Sequence, residues 1–197
     1  MLLENVIMLM RSMIGVAMGL ALVAVTAPAQ STQGTGAKVN SFGLSAGLTA
    51  PTGDFGNGFK SGYNISALYE YHKAATPVAF RIEGQFQDFD AKGGSSETYK
   101  TFGGLANALF YLPTHSTVKP YLTGGIGFFN NKFDLGSDCT GVLESCSSSE
   151  NKFGFDLGGG LEFELSGMST FLEADWQLIS VTGGSAKMIP IRFGVRF

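Results

Sequence analysis

The C-terminal stretch MIPIRFGVRF, residues 188–197, alternates large apolar residues with polar or small ones. Its large apolar side chains belong to Ile189, Ile191, Phe193, Val195 and Phe197. A repeat of two residues puts successive side chains on opposite faces of a β-strand, so this stretch predicts a strand with one apolar face. The apolar face continues to the last residue, an aromatic one.

The same alternation recurs along most of the chain. It is clear in FGLSAGLTA (42–50), GYNISALYEY (62–71), VAFRIEGQFQ (78–87), KFGFDLGGGLEFELSG (152–167) and TFLEADWQL (170–178). Residues 99–112 and 119–130 are also strand-like, but the pattern leaves their register open. With the C-terminal stretch this makes eight predicted strands. Each is close to the roughly 9–11 residues that a tilted strand needs to cross a bilayer.

The connectors between these strands alternate in length. Residues 51–61, 88–98 and 131–151 are long, polar and rich in Gly, Ser, Asn and Asp, whereas 72–76, 113–118 and 166–169 are short. We expect the last connector, residues 181–187, to lie with the long ones. Long connectors at one end and short ones at the other are typical of an outer-membrane barrel.

A soluble eight-stranded barrel, such as a lipocalin, would bury its apolar face and show the polar one to water. The polar faces here carry glycines and carboxylates but few lysines that could coat a soluble surface. We therefore predict an all-β fold, an eight-stranded antiparallel up-and-down transmembrane barrel with its apolar face toward lipid.

The N-terminal stretch predicts export across the inner membrane. Arg11 precedes the apolar run MIGVAMGLALVAV, which leads into TAPAQ. This is the order of a signal peptide, with cleavage expected after Ala29. A membrane anchor is the alternative, but the run is short of the ~20 residues that a spanning helix needs. Because Glu4 is unusual in such a segment, Met8 or Met10 is an alternative start. We assign 1–29 to the signal peptide, 30–39 to a lead-in and 40–197 to the barrel.

Composition and motifs argue against several other functions. The net charge is −3 without a basic block, so we expect no nucleic-acid partner. The two histidines, His72 and His115, fall in predicted short turns without a nucleophile and carboxylate at a recognisable spacing, so we expect no enzyme.

Two glycine clusters and one acidic stretch resemble ligand-binding motifs only superficially. GGIG (124–127) and GGG (158–160) lack the lysine of a P-loop and the helix of a dinucleotide fold, so close packing explains them better. In DFDAKGG (88–94), Lys92 and Tyr99 occupy positions where a calcium loop needs acids. We predict no cofactor and no dedicated metal site.

Charged residues on the polar faces predict an ion-pair network in the lumen. Glu173 and Asp175 should face Arg192 and Arg196 on the next strand, because an unpaired charge inside a barrel is costly. Two further members are expected from the third strand, Arg81 and Glu83. A structural network is the main interpretation, and a gate is the alternative.

The longest predicted connector contains both cysteines, Cys139 and Cys146. An exported chain passes through an oxidising compartment, so this pair predicts a disulfide. A metal site fits less well, since no histidine is nearby.

Four motifs carry a family resemblance: APAQ (27–30), NALFYLP (107–113), KPYLTGGIGF (119–128) and IRFGVRF (191–197). With these motifs in this order, the chain resembles the small eight-stranded outer-membrane barrels, the OmpA/OmpX-like and opacity-type superfamily. The resemblance implies a monomer in the outer membrane of a Gram-negative-type cell, inserted by the outer-membrane assembly machinery. It also implies that the C-terminal strand, with Phe193, Val195 and Phe197, is the signal that this machinery reads.

Members of this superfamily have different functions, which fold alone does not distinguish. We expect a non-enzymatic role in envelope integrity or surface interaction, with the lumen largely filled by side chains. The expected partners are outer-membrane lipid, lipopolysaccharide and an external ligand bound by the loops. A narrow, porin-like diffusion channel is the first alternative, and a lipid A-modifying enzyme is the second.

Overall fold

A computed structural model describes residues 38–73, 76–93, 97–134, 147–165 and 168–197. The predicted signal peptide lies outside the described residues, and so do Cys139 and Cys146. Within the described part of the chain, no helix has the length and apolar character needed to cross a membrane.

The described chain forms eight antiparallel strands in a closed barrel, in which each strand pairs with its neighbours in sequence and β1 pairs with β8. This confirms the predicted all-β, up-and-down barrel. The strands are β1 Lys38–Thr52, β2 Gly62–Lys73, β3 Val78–Asp90, β4 Thr98–Tyr111, β5 Lys119–Asp134, β6 Ser147–Leu165, β7 Met168–Val181 and β8 Gly184–Arg196. A short helix, α1 (Gly53–Gly58), lies between β1 and β2.

The C-terminal strand closes the barrel. Gly43 to Thr52 of β1 pair with Lys187 to Arg196 of β8. Beyond this ladder, the amides of Phe42 and Phe197 donate to each other's carbonyls, at 2.9 and 2.8 Å. Every strand therefore has two partners, which satisfies backbone groups that lipid could not.

Two connectors differ from the sequence prediction. The last one, expected to span residues 181–187, is a tight turn at Thr182 and Gly183, in which Gly183 has φ +86°. The first, residues 51–61, contains α1. Both differences arise because strand pairing and local hydrogen bonding continue through polar residues, where the apolar alternation no longer marks them.

Several strands are longer than predicted for the same reason. β3 continues to Asp90, β5 continues to Asp134, and β1 begins at Lys38 inside the predicted lead-in. We call the end with α1 the outer end and the end with both termini of the barrel the periplasmic end, because long connectors of such barrels face outward.

The outward face of the barrel is apolar. Phe128 is 72% exposed and Ile82 is 65% exposed. Many other large apolar side chains around the barrel are exposed as well. The structure also decides the registers of β4 and β5. Phe102, Phe110, Ile126 and Phe128 point outward, and the inward residues include Tyr99, Leu105, Tyr111, Tyr121 and Phe129.

The lumen contains two apolar clusters in addition to the charged residues that the sequence predicted there. An outer apolar cluster contains Phe89, Tyr99, Leu105, Phe129, Ile179, Ala186 and Met188, with Phe55 and Phe59 packed against it. A periplasmic apolar cluster contains Leu68, Ala79, Leu109, Tyr111, Tyr121 and Phe171. Polar and charged side chains fill the remaining lumen, much of it between the two clusters.

Candidate functional site

Three arginines occupy the middle and periplasmic part of the lumen. Arg81 extends inward from β3, and Arg192 and Arg196 extend inward from β8. Each lies at an inward position of its strand, next to residues such as Ile82 or Phe193 that face outward. The exposed fraction of these arginines is only 1–4%. Buried guanidinium groups need hydrogen-bonded anionic partners.

Arg81 connects two carboxylates across the barrel. Its Nη1 donates to both carboxylate oxygens of Glu173, at 3.0 and 2.8 Å. Its Nη2 donates to Glu70, at 3.2 Å. The guanidinium carbon also lies 5.2 Å from the centre of the Phe171 ring, within the range of a cation–π contact.

Arg192 lies in a more acidic environment. Its guanidinium donates to Glu83, Glu173 and Asp175, and its Nη2 is 2.6 Å from Oδ2 of Asp175. One positive charge is thus shared among three carboxylates. Arg81 also contacts one of these carboxylates, that of Glu173.

Arg196 completes the network near the periplasmic end. It donates to Glu70 and Glu162, and its Nη1 also donates to the Tyr111 hydroxyl at 3.0 Å. A second tyrosine hydroxyl, that of Tyr121, donates to Glu173 at 2.7 Å. The charged groups and the tyrosines of the periplasmic cluster therefore form one connected hydrogen-bonded network.

The structure places all six predicted lumen residues, Arg81, Glu83, Glu173, Asp175, Arg192 and Arg196, in the lumen. One predicted pairing is wrong. Arg196 does not face Glu173 and Asp175, because β7 pairs with β8 in a register that sets Glu173 opposite Arg192 and Ser169 opposite Arg196. The actual carboxylate partners of Arg196 come from β2 and β6.

Sequence reasoning missed five members of the network: Glu70, Glu162, Tyr111, Tyr121 and Phe171. Glu70 and Glu162 occupy polar positions of the alternation, so the signal was present. Both pair with Arg196, which lies on a strand adjacent to neither of them, and the alternation does not reveal such pairs. Tyr111 and Tyr121 belong to the two strands whose registers the sequence left open.

Amide side chains and the carboxylate of Asp156 form a further polar group in the lumen. The amides of Gln87, Gln177 and Gln85 form a chain, with donor–acceptor distances of 2.6 and 3.0 Å. Asn107 donates from Nδ2 to both oxygens of Asp156, at 2.8 and 2.7 Å.

A smaller charged cluster lies at the outer rim, beyond the apolar band. Glu150 accepts hydrogen bonds from the hydroxyl of Thr182 at 2.6 Å and from its amide at 3.2 Å, and it pairs with Lys152 at 3.3 Å. The hydrogen bond from the Thr182 hydroxyl, followed by the amide hydrogen bond and Lys152, lowers the pKa of Glu150.

Both histidines lie at the periplasmic end of the barrel. His72 stacks on Tyr111, with ring centres 5.1 Å apart, and its Nε2 contacts the carbonyl of Thr76 at 2.9 Å. His115 lies in the exposed β4–β5 connector. Within the ranges that the structure describes, no three His, Cys, Asp or Glu residues are grouped to hold a metal ion.

Residues 16–197 match the model of a family described as the outer membrane protein beta-barrel domain. Among solved structures, the chain is similar to Neisserial surface protein A, with a TM-score of 0.60 at 16% identity, covering 81% of this chain and 97% of that one. The outer membrane protein OprG from Pseudomonas aeruginosa gives a TM-score of 0.51 at 17% identity, covering 82% and 98%.

The outer membrane enzyme PagL gives a TM-score of 0.50 at 15% identity, covering 80% of this chain and 99% of that one. At such identities these structures support the fold alone. None of the curated proteins matches the sequence.

Proposed function

Since this chain belongs to the outer membrane protein beta-barrel domain family and lies in the outer membrane, we propose that it is a sealed barrel with a non-enzymatic role. In this role the barrel supports envelope integrity, and its outer connectors contact molecules outside the cell. Its other expected partners are lipopolysaccharide and the outer-membrane assembly machinery. We expect the protein to be a monomer.

The observation that carries this proposal is the filling of the lumen. A solute would have to pass the outer apolar cluster and then the arginine network, which is interleaved with the periplasmic apolar cluster. Eight strands leave an interior only wide enough for side chains. Displacing Arg192 would leave three carboxylates without their shared cation, which is strongly unfavourable in a low-dielectric interior.

The alternative of a narrow diffusion channel needs a continuous hydrated path. Large side chains in the network are almost completely buried, including Arg81, Tyr121 and Phe171. A gate would have to break several charge-assisted hydrogen bonds together, so this filling favours a structural network over a gate.

The alternative of a lipid A-modifying enzyme needs a base near the outer leaflet. Both histidines are at the periplasmic end, His72 at the end of β2 and His115 in the β4–β5 connector. The described outer rim instead carries Tyr63, Asp88 and Lys100, joined by contacts of 3.2 and 3.7 Å on the outward face. Such groups at the upper edge of an apolar band suit contacts with lipid headgroups.

Single-channel recording tests the sealed barrel against the channel. We expect purified, refolded protein in planar bilayers to show no stable conductance, with a large porin recorded in the same bilayers as the positive control. Stable openings of porin size in samples that show a complete heat-dependent gel shift would refute the proposal.

Two cell-based measurements test the remaining parts. Cells lacking the protein should become more sensitive to bile salts, and expression of the wild type should restore resistance. Lipid A from the two strains should have identical mass spectra. A mass difference that depends on the protein would support the enzyme instead.

A further inference from the structure

Two inward glycines create space between four oxygen-bearing side chains on β4 to β7. In one cross-strand row, Asn107, Gly125 and Asp156 are successive partners. In the adjacent row, Thr123, Gly158 and Asp175 are successive partners. Asp156 and Asp175 are therefore diagonal neighbours on the inner face, within reach of a common ligand. We call this group of four residues, Asn107, Thr123, Asp156 and Asp175, the oxygen cluster.

The glycines are required for this arrangement. A Cβ at Gly125 would lie 2.6 Å from Cγ of Asn107, and a Cβ at Gly158 would lie 2.2 Å from Oδ1 of Asp175. The Asn107 and Asp175 side chains therefore lie directly over the two glycines. The sequence explained the two glycine clusters by close packing. At Gly125 and Gly158, this close packing also brings polar oxygens together.

Three oxygens of the cluster have no hydrogen-bond partner among the described residues. They are Oδ1 of Asp175, Oδ1 of Asn107 and Oγ1 of Thr123. All three side chains are more than nine-tenths buried. A buried acceptor without a partner is costly, so these oxygens require a donor or a cation.

The charge balance of the lumen indicates that these oxygens require a cation and not only a hydrogen-bond donor. The five most deeply buried carboxylates are those of Glu70, Glu83, Asp156, Glu173 and Asp175, whereas the buried guanidinium groups are those of Arg81, Arg192 and Arg196. Glu162, at the periplasmic rim, has a further cation in Lys119. Two negative charges remain in excess. Asp156 makes no ion pair with any described residue, and Asp175 has only a share of Arg192.

We propose that the oxygen cluster binds one hard divalent cation of the calcium class inside the barrel. Its ligand atoms are all oxygens, which suit Ca²⁺ and not the softer metals that prefer histidine or cysteine. Two carboxylates match the charge of one such ion. An amide oxygen, a hydroxyl and water supply the other ligands, in the variable geometry that Ca²⁺ accepts.

The bound ion would join four neighbouring strands, β4 to β7, at the centre of the lumen. This role is independent of whether the barrel conducts solutes. Because all four side chains of the oxygen cluster are buried in the lumen, the ion would enter during folding and dissociate slowly.

The test is to refold the full chain into detergent micelles with CaCl₂ or with EDTA, and then to desalt it. Inductively coupled plasma mass spectrometry gives the number of calcium ions per barrel, and the heat-dependent gel shift gives the unfolding midpoint. We expect the wild type to retain about one ion per barrel and to unfold at a higher temperature with calcium. Asp156→Asn and Thr123→Val should retain about tenfold less calcium or lower.

The matched control is Glu150→Gln, which removes an acid at the outer rim. It should retain as much calcium as the wild type. Thr123→Val preserves the test if Asp156→Asn fails to refold. The proposal is overturned if the folded wild type retains no calcium, or if both cluster variants retain as much as the wild type. A different result would assign the excess charge to bound protons. In that case the wild type would retain no calcium, and Asp156→Asn would raise the unfolding midpoint by the same amount with and without calcium.

Discussion

Replacing Arg192 with methionine tests how much the lumen network stabilises the barrel. Methionine keeps an unbranched side chain but removes the charge and all hydrogen-bond donors. Glu83, Glu173 and Asp175 would lose their shared partner. Arg81 would still contact Glu173 at 2.8 Å, but Asp175 would have no cationic partner among the described residues.

Removing one partner of a buried ion pair costs about 3–5 kcal/mol of unfolding free energy. If the free energy of unfolding falls by about 2 kcal/mol per molar urea, the midpoint should decrease by roughly 2 M. Unfolding can be followed by the gel shift and by fluorescence of Trp176, the single tryptophan, which lies on β7 next to Asp175.

The matched control is Lys119→Met, which also removes a salt-bridged cation. Lys119 lies 3.7 Å from Glu162, and its side chain is 51% exposed. Exposed pairs contribute about 0–1 kcal/mol, so this midpoint should change little. Adding Asp175→Asn to Arg192→Met should restore part of the loss by removing one unpaired charge. If Arg192→Met destabilises the barrel no more than Lys119→Met, the reasoning is refuted.

Three further predictions concern assembly and topology. Replacing Phe197 with Asp should leave export intact but block barrel assembly, seen as loss of the gel shift in outer-membrane fractions; wild-type assembly would mean that Phe197 is only a lipid-facing residue. Cys139 and Cys146 should form a disulfide, and two free thiols per chain in non-reduced native protein would contradict this. A protease site inserted after Gly141 should be cut in intact cells, whereas cutting only after permeabilisation would show that the orientation is reversed.

The number of strands, the outward faces of six of them and the closure between β8 and β1 could be predicted from the sequence. Alternation with a period of two is local, since each outward residue contacts lipid whatever its partner strand is. The order of the strands followed from the connectors, because antiparallel neighbours need only short links. The predictions were weakest where polar residues continued a strand, as in β3 and β5.

The interior of the barrel was decided only by the tertiary structure. Arg196 pairs with Glu70 and Glu162 because barrel closure and strand tilt bring β2 and β6 to it across the lumen. The inward aromatic residues of β4 and β5 were ambiguous because large apolar side chains occur on both faces of those strands. Lipid imposes the same requirement on every outward position, whereas each lumen position depends on the side chains opposite it, and closure alone determines which ones these are.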